Sequence, residues 1–223
     1  MTIARMSNNI SLKRVRALAA MLVLALTVGA ASTMGGCSLS GMLTGDSPAP
    51  KLFVLSPKST FDSDLPYVKS QLVVETPVAS EGLNTHRIAL RESPLTLDYF
   101  AGARWTERVP LLVQTLLVES FENTNKIISV ARQGIDLRAD YVLKTELREF
   151  QAEYAGRSGA PDVWVRLNVK LVRMPARIIV ASENFEARLP AGGATITDIV
   201  FAFDESLNKV LKKSVSWTMR RLE

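Results

Sequence analysis

This sequence has few residues suited to catalysis. Its 223 residues include one cysteine, Cys37, and one histidine, His86. A lone cysteine excludes an internal disulfide, and the two residues together cannot supply the ligands of a zinc site. A Ser-His-Asp or Cys-His centre would have to use His86, and no GxSxG nucleophile motif stands near it. His86 precedes a predicted strand with no His, Cys, Asp or Glu at ligand spacing, so it reads as a surface residue. The double glycine Gly192-Gly193 lacks the GxxxxGK[ST] context of a phosphate loop. No two carboxylates stand out as an acid–base pair. Neither a metal nor a cofactor is expected, and the chain does not read as an enzyme. A membrane-spanning helix needs about 20 apolar residues; the run from Ala17 to Ala31 has 15 before Ser32-Thr33 interrupts it.

That run lies in a patterned N-terminus. Arg5, Lys13, Arg14 and Arg16 precede it, and Met34-Gly35-Gly36-Cys37 follows. A basic start, a short apolar run and a small-residue cleavage site make a secretory signal. Ending in the lone cysteine, it resembles the lipobox of bacterial lipoproteins, with Met34 where that motif prefers Leu. The resemblance implies cleavage after Gly36, lipidation of the Cys37 thiol, and acylation of the new amino terminus by a palmitate-type chain. The expected organisation is a signal peptide over 1–36, a lipidated linker over 37–50 and one domain over 51–223.

Cleavage changes the charge argument. The chain carries 27 Lys and Arg against 22 Asp and Glu. Removing the four basic residues before Cys37 leaves 23 against 22, a formal charge of +1. Bulk charge then gives no reason to expect a nucleic-acid partner. The 223 residues less 36 leave 187, the size of one domain. Residues 38–50 are small, polar and rich in Gly, Ser and Pro, a flexible tether. Thirteen such residues reach about 45 Å when extended. Ser38 follows the cysteine where proteobacterial lipoproteins kept in the inner membrane tend to carry Asp. That favours the periplasmic face of the outer membrane, with the inner membrane as the alternative.

Strands are predicted over 51–55, 71–75, 87–91 and 95–99. Glu92-Ser93-Pro94 turns the last two into a hairpin. A helix follows over 106–121, with Thr106 as its cap, Pro110 early enough to be tolerated, and Val109, Leu112, Val113, Leu116, Leu117 and Phe121 on one face. Residues 127–130 form a brief strand. From 140 to 189 the period becomes two, giving three long antiparallel strands with one wet face. Tyr141, Leu143, Thr145 and Leu147 share a parity that passes to Phe150, Ala152 and Tyr154, so a bulge is expected near Arg148-Glu149. The wet-face charges Lys144, Glu146, Arg166, Lys170 and Glu183 read as solvated surface. A final helix runs from a Thr195/Asp198 capping box to about Arg221. Its stripe is Ile196, Ile199, Val200, Phe203, Leu207, Val210, Leu211 and Trp217. Lys209, Lys212, Lys213, Arg220 and Arg221 suit its C-terminal end.

The predicted fold is α+β: a mostly antiparallel sheet of about six strands, with both helices across one face. The wet face or the sheet edge is left for a partner or a second copy of the chain. The order of lipobox, linker, Leu52-Phe53-Val54-Leu55, Arg87–Arg91, Leu97-Asp98-Tyr99-Phe100, Trp105 and a Leu-rich helix resembles the ABC-type transport auxiliary lipoprotein family. Phe53 and Leu55 stand where that family has a Tyr-x-Leu strand, while Tyr99 and Trp105 match its Tyr before Trp. Both are expected to pack, Trp105 on the first turn of the helix and Tyr99 over it. The resemblance implies a non-catalytic partner of an inner-membrane ABC permease and ATPase that works with an MCE-domain protein. Such systems move lipids between the membranes, and the lipoprotein would hold their outer-membrane end. Two other classes stay open: a structural lipoprotein of outer-membrane assembly, and a lipid carrier enclosing an apolar cavity.

Overall fold

The computed structural model describes residues 48–133, 138–155 and 158–222. Its organising strand is β7 (Tyr141–Glu153), which pairs along its length with β8 (Asp162–Arg173). β8 in turn pairs with β9 (Ile178–Pro190). All three are antiparallel, as the alternation predicts. The expected bulge is there as well: Leu147 faces Leu167 and Glu149 faces Arg166, which leaves Arg148 as the extra residue. It resets parity so that Phe150 and Ala152 stay on the buried face.

The other edge of β7 departs from expectation. β2 (Val68–Val74), β3 (Val78–Ala79) and β4 (Arg87–Arg91) lie along it in succession, all parallel to it. They meet β7 at Leu72↔Tyr141, Val78↔Glu146 and Leu90↔Ala152. The chain therefore walks up one edge in three short steps. Outside them, β6 (Ile127–Arg132) pairs in parallel with β2, and β5 (Asp98–Trp105) pairs antiparallel with β4. β1 (Lys51–Phe53) runs parallel to β5. The sheet has nine strands and is mixed, not six and mostly antiparallel. Period-two patterning assigns faces to a strand but gives no direction to its pairing, and runs of two to five residues carry little pattern of any kind.

Among the described residues two helices complete the domain: α1 (Val109–Glu122) and α2 (Ile196–Met219). Both contribute to one core cluster with the sheet face that carries Leu143, Phe150 and the alternate residues Val163 to Leu171 of β8. The stripe read for α2 is buried from Ile199 to Leu211, and Trp217 packs edge-on against Phe185 at 5.6 Å. Thr195 caps α2, its hydroxyl accepting from the Asp198 N–H at 3.2 Å.

The start of α1 is a correction. Thr106 is not its cap, because its N–H donates to the Phe53 carbonyl at 3.1 Å. Arg108 takes the cap position without a side-chain bond, and Pro110 falls in the first turn. A helix capped at Thr106 would ask Pro110 for an N–H it does not have; beginning at Val109 puts Pro110 among the donors that need no intrahelical partner. Trp105 shares its core cluster with Val109 and Leu112 of α1 and has aromatic partners the sequence did not reveal. It ends β5 fully buried and sets its ring edge-on to Phe150 at 5.9 Å and to Phe203 of α2 at 5.3 Å. Tyr99 does not cover it; its hydroxyl donates to the Gly82 carbonyl at 3.0 Å, and Arg87 lies over its ring at 3.7 Å.

Candidate functional site

Gly36 and Cys37 lie outside the described residues. Among the described residues no cluster of His, Cys, Asp and Glu could hold a metal, and no helix is long and apolar enough to cross a membrane. His86 is exposed, and its backbone carbonyl accepts from the Trp105 N–H at 2.7 Å. The basic end of α2 is engaged within the domain. Lys209 pairs with Glu205, Lys212 with Asp62 and Arg220 with Asp64, while Lys213 donates to the Glu186 carbonyl and Arg221 stacks on Trp217. Gly193 has a packing role: a Cβ there would come within 2.5 Å of the Asp198 carboxylate, which accepts from the hydroxyl of the Thr195 cap.

The face of β7, β8 and β9 away from the helices is different, because its composition changes along the strands. At the β4 end it is an ionic lattice. Glu153, only 8% exposed, receives Arg91 at 3.2 Å and Arg188 at 2.8 Å. Arg188 also reaches Asp162 at 3.4 Å and lies over the Trp164 ring. Gln151 donates to Glu149 at 2.7 Å. Every charge here has an opposite, so the lattice is structural. Nearby, burial and then the Glu92 carboxylate raise the Tyr154 phenol above its ordinary value, which keeps it protonated.

Towards the β2 end the face turns mixed and then apolar. Arg148 bridges Glu146 at 3.2 Å and Asn184 at 3.3 Å. Lys144 pairs with Glu75 at 2.6 Å. Beyond them Val73, Val142 and Val172 form a second small cluster, with Ala139 and Met174 against it. Ile179, the register partner of Val172, stands exposed on β9, and Val78 on β3. Two open grooves lie here. One, of about 230 Å³, is lined by Val78, Lys144, Glu146, Asn168 and Lys170. The other, of about 320 Å³, is lined by Glu75, Lys144, Val172, Met174, Arg177 and Ile179. This graded face was not legible as a site, because single-strand reading shows each charge but not its neighbour across the ladder.

Among the described residues, a nine-stranded mixed sheet with two helices on one face defines an α+β domain. The sequence model of the ABC-type transport auxiliary lipoprotein component matches residues 53–213, and the chain belongs to that family. The crystal structure of protein XCC0632 from Xanthomonas campestris is similar, at 30% identity and a TM-score of 0.72. That match covers 76% of this chain and 95% of the other. A second crystal structure, of an uncharacterized protein, shares the fold alone at 13% identity and a TM-score of 0.52, covering 78% and 96% of the two chains. Protein bll6063 of Bradyrhizobium diazoefficiens is 25% identical over 190 residues, 81% of this chain and 48% of that protein. The chain thus spans about half the length of that relative.

Proposed function

We propose that this protein is a non-catalytic lipoprotein subunit of an MCE-type ABC system moving lipids between the inner and outer membranes, and that it holds the outer-membrane end. Membership of the auxiliary family over residues 53–213 carries the reading. The sequence supports it with a lipobox at Cys37, a thirteen-residue tether and Ser38 in place of Asp. In this reading the acyl chains on Cys37 fix the tether, and the domain receives the MCE-domain protein, which connects it to the permease and ATPase. The domain's work is then to bind and to position, which needs surface and no reacting group.

Crosslinking in native membranes tests this. Capture of an MCE-domain protein together with a permease and an ATPase is the expected result. Repeated capture of outer-membrane assembly proteins instead, with no transporter subunit, would overturn it.

A further inference from the structure

Lys144 and Lys170 are register partners on the outer face, directly across the β7–β8 ladder. Like charges in that position destabilise a sheet. Lys144 is neutralised by Glu75, but Lys170 makes no ion pair among the described residues, and its other cross-strand neighbour is Ser182. Lys170 is thus an unpaired cation directly across from the Lys144–Glu75 ion pair.

Their neighbours differ on the two sides. One register step towards the β4 end along this face is Glu146↔Asn168, and one step the other way is Val142↔Val172. Same-face steps along a strand are about 6.6 Å, so polar, cationic and apolar positions succeed one another over roughly the length of a lipid headgroup and its glycerol. Asn168 is 94% buried, being 6% exposed, and lines the first groove. Its Nδ2 donates to Asn184 at 3.1 Å, while its Oδ1 has no donor. A buried acceptor left unpaired costs stability unless something donates to it. At the other end Arg177 lines the second groove beside Met174 and the exposed Ile179.

We infer that this face binds one molecule of a glycerophospholipid with an ammonium headgroup. Its phosphate lies between Lys144 and Lys170, its ammonium donates to Asn168 Oδ1 beside Glu146, and its acyl chains lie over Val142, Val172, Met174 and Ile179. A free phosphate would use the lysines and leave both the orphaned amide and the apolar floor unused. A neutral apolar ligand would bury Lys170 without a counter-charge. A zwitterionic amphiphile meets all three demands. The choice of occupant rests on the lipid-transport reading; the juxtaposition of charges does not.

The test uses the full chain in its own membranes with a photoreactive short-chain phosphatidylethanolamine, followed by mapping of the labelled peptides. Label is expected on residues 142–146 and 168–179. Lys170→Glu and, separately, Ile179→Asp should each reduce it about tenfold, a loss of one charge-assisted or apolar contact. Both variants should melt with the wild type, and Lys209→Glu on α2 should label normally. Label spread evenly over the domain, or unchanged in both variants, would overturn the site. Equal competition by glycerophosphoethanolamine, which has no acyl chains, would overturn the apolar half. Partner capture is scored on the same membranes. Groove label without a transporter partner removes the transport reading and leaves the site, and capture without groove label does the reverse.

Discussion

Trp105 and Phe203 meet edge to face, their ring centroids 5.3 Å apart, although 97 residues of chain separate them. Phe150 completes the contact, 5.0 Å from Phe203. The end of β5, the bulged half of β7 and the first turns of α2 are thus locked at one point. Truncation to Phe203→Ala should cost about 3–5 kcal/mol, as for a fully buried aromatic. A double-mutant cycle with Trp105→Leu in chemical denaturation should return a coupling of about 0.5–1.5 kcal/mol. A coupling of zero would mean that the rings are neighbours without interacting.

The bulge makes deletion position-dependent. Without Arg148, Leu147 and Glu149 become consecutive and still face Leu167 and Arg166, so both halves of β7 keep their register. The deletion should fold, as read by circular dichroism. Deleting Arg166 from β8 has no bulge to absorb it and turns one half of the buried Val163–Leu171 row to the wet face. That chain should not fold.

Asp62 gives a signed pH dependence. The hydrogen bond from Lys212 and its charge hold the Asp62 carboxyl below its ordinary value. A depressed carboxyl adds stability that is full above the unfolded-state pKa, about 3.9, and disappears as pH falls through the folded value. Asp62→Asn should therefore be less stable than wild type at neutral pH and converge with it in acid. The ion pair is solvent-exposed, so salt should shrink the difference. Denaturant melts at two pH values and two salt concentrations read this directly.

Replacing Thr195 with Ala removes the side-chain acceptor for the Asp198 N–H. The expected cost is about 1 kcal/mol, measured by denaturation, with Thr195→Ser restoring most of it.

Cys37→Ser should release the protein from the membrane fraction into the soluble periplasm. One acyl chain gives only marginal binding, at about 0.8 kcal/mol per buried CH₂, so a lasting anchor at Cys37 would require more than one chain. Retention of the serine variant in the membrane fraction would sink the lipobox reading.

The features legible in the sequence were those whose signal is local. The parity change after Leu147 revealed the bulge, and Thr195 with Asp198 revealed the start of α2. Glu92-Ser93-Pro94 marked the β4–β5 hairpin, although the connection runs on to Leu97 and β5 is Asp98–Trp105 rather than 95–99. What was hidden depends on residues far apart in the chain. The parallel seating of β2, β3 and β4 on β7 has no periodic signature, and neither does the choice of Phe150 and Phe203 as the partners of Trp105. Buried Ser120, Ser214 and Thr218 look polar in a helix stripe, yet each returns its hydroxyl to a carbonyl one turn earlier. The opposed lysines belong to the same class: Lys144 and Lys170 are each unremarkable until the register places them face to face.

The edge of β7 that receives three strands also sets when the domain can form. β6 with β2, and β4 with β5 and β1, are separate fragments of sheet, and every strand pairing between them runs through β7. A chain delivered only as far as Asp140 holds the pieces without the splint. Folding must wait for Glu153 and then for β8 behind it, so more than half of this protein arrives before any of it can become a sheet of its final width.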